Sequence, residues 1–347
     1  MPKEKKIVGV VGAGSFGTTV ASLLAHNVDV LIFSRQQEVV DRINTVHENL
    51  GYRLDPRIHA TKSLEEICER ASLIFPVVPS ENFRETCVSM SPYLSPAHVL
   101  IHATKGLDLA GIKVNDIARV NISRKNIHTM SEVIRQETSV LRVGCLAGPN
   151  LYREIMANQP AASVIASEYD EVIKAGSDVL SSRFFFVFGS YDLLGAEMAG
   201  ALKNIIALGS GMLSGKGLGK NLEAMLITRG LREMIELGRC IGSSSKSFLG
   251  TAGIGDLIAT ATSPNSRNFN FGYRLGKGER LKDIISSLDE VVEGVRTVRI
   301  ANQLAKHYHL RVPIIDMIFS VVFEDFPIEK AIQFLMRYPY LPDVDFL

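Results

Sequence analysis

No Cys-x-x-Cys pair occurs in this 347-residue chain; its four cysteines, Cys68, Cys87, Cys145 and Cys240, are scattered. That spacing excludes a paired-thiol zinc site and a disulfide framework. His307 and His309 have no companion ligands near them in sequence, so no metal site is read. Neither sign of charge is in excess, with 38 Lys and Arg against 37 Asp and Glu and a formal net charge of +1. Such a balance gives no global field to draw in nucleic acid or an anionic membrane. A local basic pocket for a small phosphorylated ligand is compatible with it, and small-molecule partners are favoured. No apolar run approaches the roughly 18 residues that cross a bilayer. The start MPKEKK and the apolar stretch after it read as a strand and turn rather than a secretory signal, because the stretch is short and broken by glycines. Internal repeats and low-complexity tracts are also missing, and a reducing cytoplasm is the expected compartment.

What is present is a globular composition, 46% hydrophobic and 22% charged, at a length that suggests two domains. Short β-branched runs alternate with helix-like segments in the first half, the pattern of a parallel sheet wrapped by helices. Candidate strands are Ile7–Val11, Val28–Phe33, Leu73–Val78, Val99–Ala103, Arg142–Leu146, Ala162–Ala166 and Phe184–Phe188. After Tyr191 helical periodicity with glycine punctuation takes over and no convincing strand follows. The expected organisation is an α/β, Rossmann-like amino-terminal domain over 1–190 and an all-helical carboxy-terminal domain over 191–347. The segment Asp108–Val140 reads as a surface excursion of helix and loop.

The sequence GAGSFG at 12–17 follows the first strand and opens a helix, and a second strand ends about 20 residues later, the spacing of a dinucleotide fingerprint. In that reading Gly12 permits the tight turn, Gly14 lets backbone N–H groups approach a pyrophosphate, and Gly17 lets the helix pack closely on the strand. The helix N-terminus then holds the anion. At the end of the second strand the chain carries Phe33-Ser34-Arg35 where an NAD-specific site usually has an acid. A guanidinium there suits a 2′-phosphate, so NADP(H), or NADP(H) and NAD(H) alike, is expected; the alternative is an exposed arginine stacking on adenine.

Three further strand ends, Val77–Ser80, Ala103–Gly106 and Leu146–Asn150, point to the same face. Lys105 stands immediately beyond a buried strand, placed to meet an anion or polarise a carbonyl, or else to be a solvated loop lysine. In the helix 193–208, apolar or small almost all round, Lys203 is the interruption. Its neighbours at three and four residues are Ala199, Gly200, Ile206 and Ala207, none of them a carboxylate. Such a lysine either snorkels to the surface or faces a polar cavity, where burial would lower its pKa toward the range useful for proton transfer. Further on, Gly250–Asp256 is a glycine-rich approach to a single acid. Ser266, Arg267 and Asn268 gather hydroxyl, guanidinium and amide donors suited to a phosphate, or else a helix cap beside a solvated arginine.

These segments together resemble the NAD(P)-dependent glycerol-3-phosphate dehydrogenases of the bacterial cytosolic type. The matching pieces are GAGSFGT at 12–18, VPS at 78–80, ATKGL at 103–107, AGPN at 147–150, GALKNIIALGSGM at 200–212, ITRGL at 227–231, AGIGDLIAT at 252–260, SRN at 266–268 and VVEGVRT at 291–297, in the family's order. The resemblance implies reversible reduction of dihydroxyacetone phosphate to sn-glycerol 3-phosphate for phospholipid synthesis, and a homodimer. It implies dinucleotide contacts at Ser15, Phe16, Arg35, Lys105, Arg267, Val291 and Glu293, and substrate contacts at Lys105, Gly148, Asn150, Asn204, Asp256, Ser266, Arg267 and Asn268. Lys203 stands at the family's proton-transfer position. Two departures stand out: Asn150-Leu151-Tyr152 replaces smaller residues, and Asn121–Leu141 is longer than the usual connection. The rival readings are another two-domain hydroxyacid or sugar-acid dehydrogenase, which would have no need of Ser266-Arg267-Asn268, and a dinucleotide sensor without catalysis, which would have no need of Lys105, Lys203 and Asp256 together.

Overall fold

The computed structural model describes residues 6–112, 117, 122–288 and 292–339. They fall into two compact units, Met1–Asp108 with Thr129–Leu193 and Leu109–His128 with Leu194–Leu347.

In the first unit the strands are β1 (Ile7–Val11), β2 (Asp29–Phe33), β3 (Glu48–Asn49), β4 (Tyr52–Arg53), β5 (Ile58–Thr61), β6 (Leu73–Pro76), β7 (Val99–His102), β8 (Arg142–Ala147), β9 (Ala161–Ser167) and β10 (Phe185–Ser190). Eight form one sheet in the order β10-β9-β8-β7-β6-β1-β2-β5, while β3 and β4 make a separate two-stranded ladder. The central strands are buried on both faces, which is why they read as continuous apolar runs such as IVGVV and LIFP. The strand order reverses on either side of β1, and the helices Ser15–Leu24 and Ser80–Met90 start from the ends of β1 and β6 at that crevice.

Three features depart from the sequence reading. The sheet is not wholly parallel: β9 runs antiparallel to β8, and β10 parallel to β9. Between β8 and β9 the chain carries only the five-residue helix Tyr152–Met156, about 7.5 Å long. That is too short to carry it back along a strand of about 20 Å. The edge strand β5 was not expected, since IHAT is short and exposes His59. Finally, the described part of 108–140 is not a surface excursion. Met130, Val133 and Ile134 of the helix Met130–Glu137 are fully buried in one core with Phe83, Cys87 and Met90, at the i, i+3, i+4 spacing of an amphipathic face. Ile122 and Ile127 are buried as well, and Asn121 lies outside the described residues.

The second unit is helical among its described residues. Its long helix Leu193–Gly215 lies against Arg267–Gly276 with almost no side chain between the two backbones: a Cβ on Gly211 would fall 2.0 Å from the Phe269 carbonyl oxygen, and one on Gly272 2.0 Å from that of Leu208. Of the glycines seen in sequence, Gly211 and Gly215 therefore belong to a packing seam, whereas Gly217 and Gly219 face open space. The helix Pro313–Phe323 has no side-chain cap of its own, and Glu233 of the helix Lys220–Cys240 supplies one from elsewhere in the unit. Its two carboxylate oxygens accept from the backbone N–H groups of Ile314 (2.8 Å) and Ile315 (2.9 Å). Glu233→Ala strands both donors in the interior, and a loss of about 1–3 kcal/mol per stranded group is expected in thermal or urea denaturation.

The cysteines are free, three of them buried. Burial pushes the Cys87 thiol up to about 12 and Cys68 to about 11, so these side chains pack rather than react.

Candidate active site

The turn after β1 is built by three glycines for three different reasons. Gly12 has φ +120°, a left-handed conformation, and a Cβ there would sit 2.3 Å from the Val77 carbonyl oxygen. A Cβ on Gly17 would fall 1.8 Å from the Gly12 carbonyl oxygen, so the helix Ser15–Leu24 could not sit on the turn. A Cβ on Gly14 would meet nothing within 4 Å. That helix has no side-chain N-cap and no acid in its first turn, so its first N–H groups are open to an anion. Ser15 and Phe16 are partly exposed beside it, and Arg35, just beyond β2, is exposed. This surface fits the pyrophosphate of a dinucleotide.

Along the same sheet edge, Thr104 Oγ1 donates to the Val78 carbonyl (2.6 Å), and Lys105 Nζ to the Gly148 carbonyl (2.8 Å). Gly148 has φ +123°, which turns the chain so that Asn150 Nδ2 reaches Ser163 Oγ (3.1 Å). Asn150 Oδ1 is buried with no hydrogen-bond partner, an acceptor suited to a ligand hydroxyl or amide. Lys105, Gly148 and Asn150 thus come together. Tyr152 instead pairs with its neighbour, accepting from Arg153 Nε (3.1 Å).

In the second unit Lys203 does not snorkel; it is 4% exposed, and its ammonium meets Asp256, itself 1% exposed, in a short contact. Lys203 Nζ also donates to Thr260 Oγ1 (2.5 Å), which in turn donates to the same Asp256 oxygen (3.2 Å). A π-helical turn, Thr251–Gly255, leads into the helix Asp256–Thr262 and sets its first residue against Lys203. Asp256 supplies the countercharge that a buried ammonium requires, and Thr260, one turn on, fixes its orientation.

One residue along, Asn204 Oδ1 accepts from Asn268 Nδ2 (3.0 Å), and Asn268 Oδ1 accepts from the Gly294 N–H (2.9 Å). This relay ties the lysine helix to the start of the helix Glu293–His307, with partly exposed Glu293 at its head. A Cβ on Gly294 would fall 2.6 Å from Asn268 Oδ1, so that contact also depends on a missing side chain. Ser266 is buried and caps its helix, its Oγ accepting from the Phe269 N–H (3.3 Å), as the simpler sequence reading held, while Arg267 is exposed. Val291 lies outside the described residues.

Two supports escaped the sequence reading. Asn49, buried in the small hairpin, donates to the Ala13 carbonyl (2.9 Å) and to Thr18 Oγ1 (2.8 Å), bracing the glycine turn. Thr260 is the other. Its position four residues after Asp256, on the same helix face, was the available signal; Asn49 had none, because a two-residue ladder leaves no periodicity to read. Among the described residues no three His, Cys, Asp or Glu side chains gather as a metal site.

Comparison with known proteins bears on both units. The family model for the N-terminus of NAD-dependent glycerol-3-phosphate dehydrogenase matches residues 7–173, and the one for its C-terminus residues 192–333. The glycerol-3-phosphate dehydrogenase [NAD(P)+] of Saccharophagus degradans is 37% identical over 99% of this chain and 93% of its own length, and that of an Exiguobacterium species is 38% identical over 96% and 95%. The crystal structure of glycerol-3-phosphate dehydrogenase from Coxiella burnetii superposes with a TM-score of 0.86 at 30% identity, covering 96% of this chain and 99% of that one. With matches that span both units and nearly the whole length, the chain belongs to the NAD-dependent glycerol-3-phosphate dehydrogenase family.

Proposed function

We infer that Lys203 is the proton donor and acceptor in the reversible reduction of dihydroxyacetone phosphate to glycerol 3-phosphate, the reaction this NAD(P)-dependent enzyme catalyses. The observation that carries the assignment is the buried cluster that Lys203, on the helix Leu193–Gly215, forms with Asp256 and Thr260 of the helix Asp256–Thr262. When bound, the nicotinamide supplies a hydride to C2 of the substrate. Lys203 Nζ gives a proton to the C2 oxygen in that direction and takes it back in reverse. Asp256 and Thr260 hold the amine in place, so it needs little reorientation to act.

The remaining roles follow the two units. The residues Gly12, Gly14, Ser15, Phe16 and Gly17 receive the pyrophosphate, and Arg35 the adenosine end. Lys105, Gly148 and Asn150 present one amine and one unpaired acceptor to the ligands. Ser266, Arg267 and Asn268, with Asn204, hold the substrate phosphate, and binding energy there orients the reacting carbon. Arg267 also serves the cofactor, as do Glu293 and Val291 at the nicotinamide end. The Ser266 side chain already serves as a cap, so its share comes through the helix N-terminus it shapes. The reading extends to a cytoplasmic homodimer whose product enters glycerophospholipid synthesis. The free cysteines, three of them buried, support a reducing compartment.

The direct test is oxidation of NADPH and NADH, followed by absorbance, with dihydroxyacetone phosphate and with dihydroxyacetone. Turnover of the phosphorylated ketone with far weaker turnover of the other is expected, and equal rates would remove the phosphate site. In the same assay Arg35→Asp is expected to lower the NADPH to NADH preference at least tenfold, since one charge-assisted bond contributes roughly 1.5–3 kcal/mol. An unchanged ratio would return Arg35 to an adenine-stacking role.

A further inference from the structure

Lys105 stands on a segment that is held at both ends. At its start the Ala103 N–H donates to the Pro76 carbonyl (3.0 Å) and Thr104 Oγ1 to the Val78 carbonyl. At its far end is Asp108, 8% exposed and the last residue before the chain leaves the first unit. Arg84, on the helix Ser80–Met90, grips that carboxylate with two donors, Nε at 3.1 Å and Nη2 at 2.7 Å, both on Oδ2. The rest of the guanidinium faces the helix Met130–Glu137, Nη2 donating to Gln136 Oε1 (2.9 Å) and Nη1 to Glu137 Oε1. One cation therefore sits between two carboxylates on separate pieces of chain: the end of the Lys105 segment, and the helix that opens just after the chain returns to this unit.

The geometry points to Arg84 as a positioning residue for the reaction, acting through Asp108 on the segment that carries Lys105. This rests on the assignment of Lys105 to the site. The planar fork satisfies both directions at once, which a lysine ammonium cannot do with the same rigidity. Without it, Asp108 and Glu137 lose the cation between them and Asp108 loses two of its hydrogen bonds, so the far end of the segment shifts. Lys105 lies three residues back, so that movement loosens the grip of its amine on the Gly148 carbonyl. A guanidinium that only stapled helices together would change stability and leave the response of the site to Lys105 untouched.

The experiment is a double-mutant cycle on the full chain, reading kcat and KM for dihydroxyacetone phosphate, with thermal denaturation beside it. Arg84→Lys is expected to lower kcat/KM about tenfold, consistent with loss of one charge-assisted bond, with KM carrying most of the change. Asp108→Asn, which keeps shape and removes the charge, is expected to move KM the same way. In a Lys105→Met background Arg84→Lys should add less than about twofold, because residues that act through one another are not additive. If Arg84→Lys costs as much in that background as in the parent, or leaves KM unchanged in the parent, the positioning role is wrong while the Lys105 assignment stands. If Lys105→Met alone retains the parental kcat/KM, the Lys105 assignment itself fails and the inference falls with it.

Discussion

Replacing Lys203 by methionine is expected to lower kcat for dihydroxyacetone phosphate reduction by roughly 10²–10⁴-fold, the usual cost of losing a positioned general acid. Methionine keeps the chain length and helix propensity of lysine, but the structure adds a second consequence that the helix sequence alone does not show. Asp256 is 1% exposed and faces Lys203 directly, so the substitution strands a buried carboxylate. Breaking a buried pair from one side costs about 3–5 kcal/mol, enough for a marked fall in Tm. Lost activity in the single variant therefore has two sources. The double variant Lys203→Met, Asp256→Asn separates them, since the neutral amide removes the stranded charge and still hydrogen-bonds with Thr260. It is expected to recover most of the Tm and none of the kcat, with NADPH affinity, read by fluorescence, near the parent. If it turns over within a factor of about three of the parent, far less than a general acid's contribution, Lys203 is structural and Lys105 becomes the proton-transfer candidate.

The same pair shows how far the site was legible in the sequence. A lysine without a carboxylate at three or four residues in an apolar helix marks itself, because helix neighbours follow from spacing alone. Its partners do not: Asp256 and Thr260 lie 53 and 57 residues away and reach it only through the packing of separate helices. For the same reason Asn204 and Asn268 could be named as polar site residues, but not their chain of bonds to the Gly294 N–H. Its geometry depends on the glycine seam that lets two helix backbones approach. In the sheet, β-branched runs placed the buried strands and missed the edge strand β5, whose exposed His59 weakens the pattern. Strand direction was not legible at β9, because hydrophobic patterning is the same in either sense and only the length of the connecting helix differs. The helix Met130–Glu137 was misread as surface because its polar residues dominate the composition, while three apolar ones at the right spacing carry the burial.

The glycine turn gives the sharpest separation between building the fold and binding the cofactor, and two alanine substitutions in it should behave in opposite ways. Gly17→Ala puts a methyl 1.8 Å from the Gly12 carbonyl oxygen, a backbone atom held in turn by the Gly12 N–H bond to the Phe33 carbonyl (3.1 Å). Neither side can yield without moving the helix off the strand, so a loss of about 1–3 kcal/mol or more is expected, with NADPH binding falling alongside the Tm. Gly14 has φ −73° and ψ −175°, which alanine adopts freely, and open space where the methyl would go. Gly14→Ala should fold as the parent does or gain about 0.4–1 kcal/mol from a stiffer unfolded chain. Its methyl would nevertheless occupy the place where the pyrophosphate approaches the helix N–H groups, and the Kd for NADPH is expected to rise at least tenfold, equivalent to about 1.4 kcal/mol. Thermal denaturation and fluorescence titration on both variants check this. A Gly14→Ala protein that binds NADPH as tightly as the parent would mean that the pyrophosphate does not lie against Gly14, and the anion would have to be placed elsewhere along the open helix N-terminus.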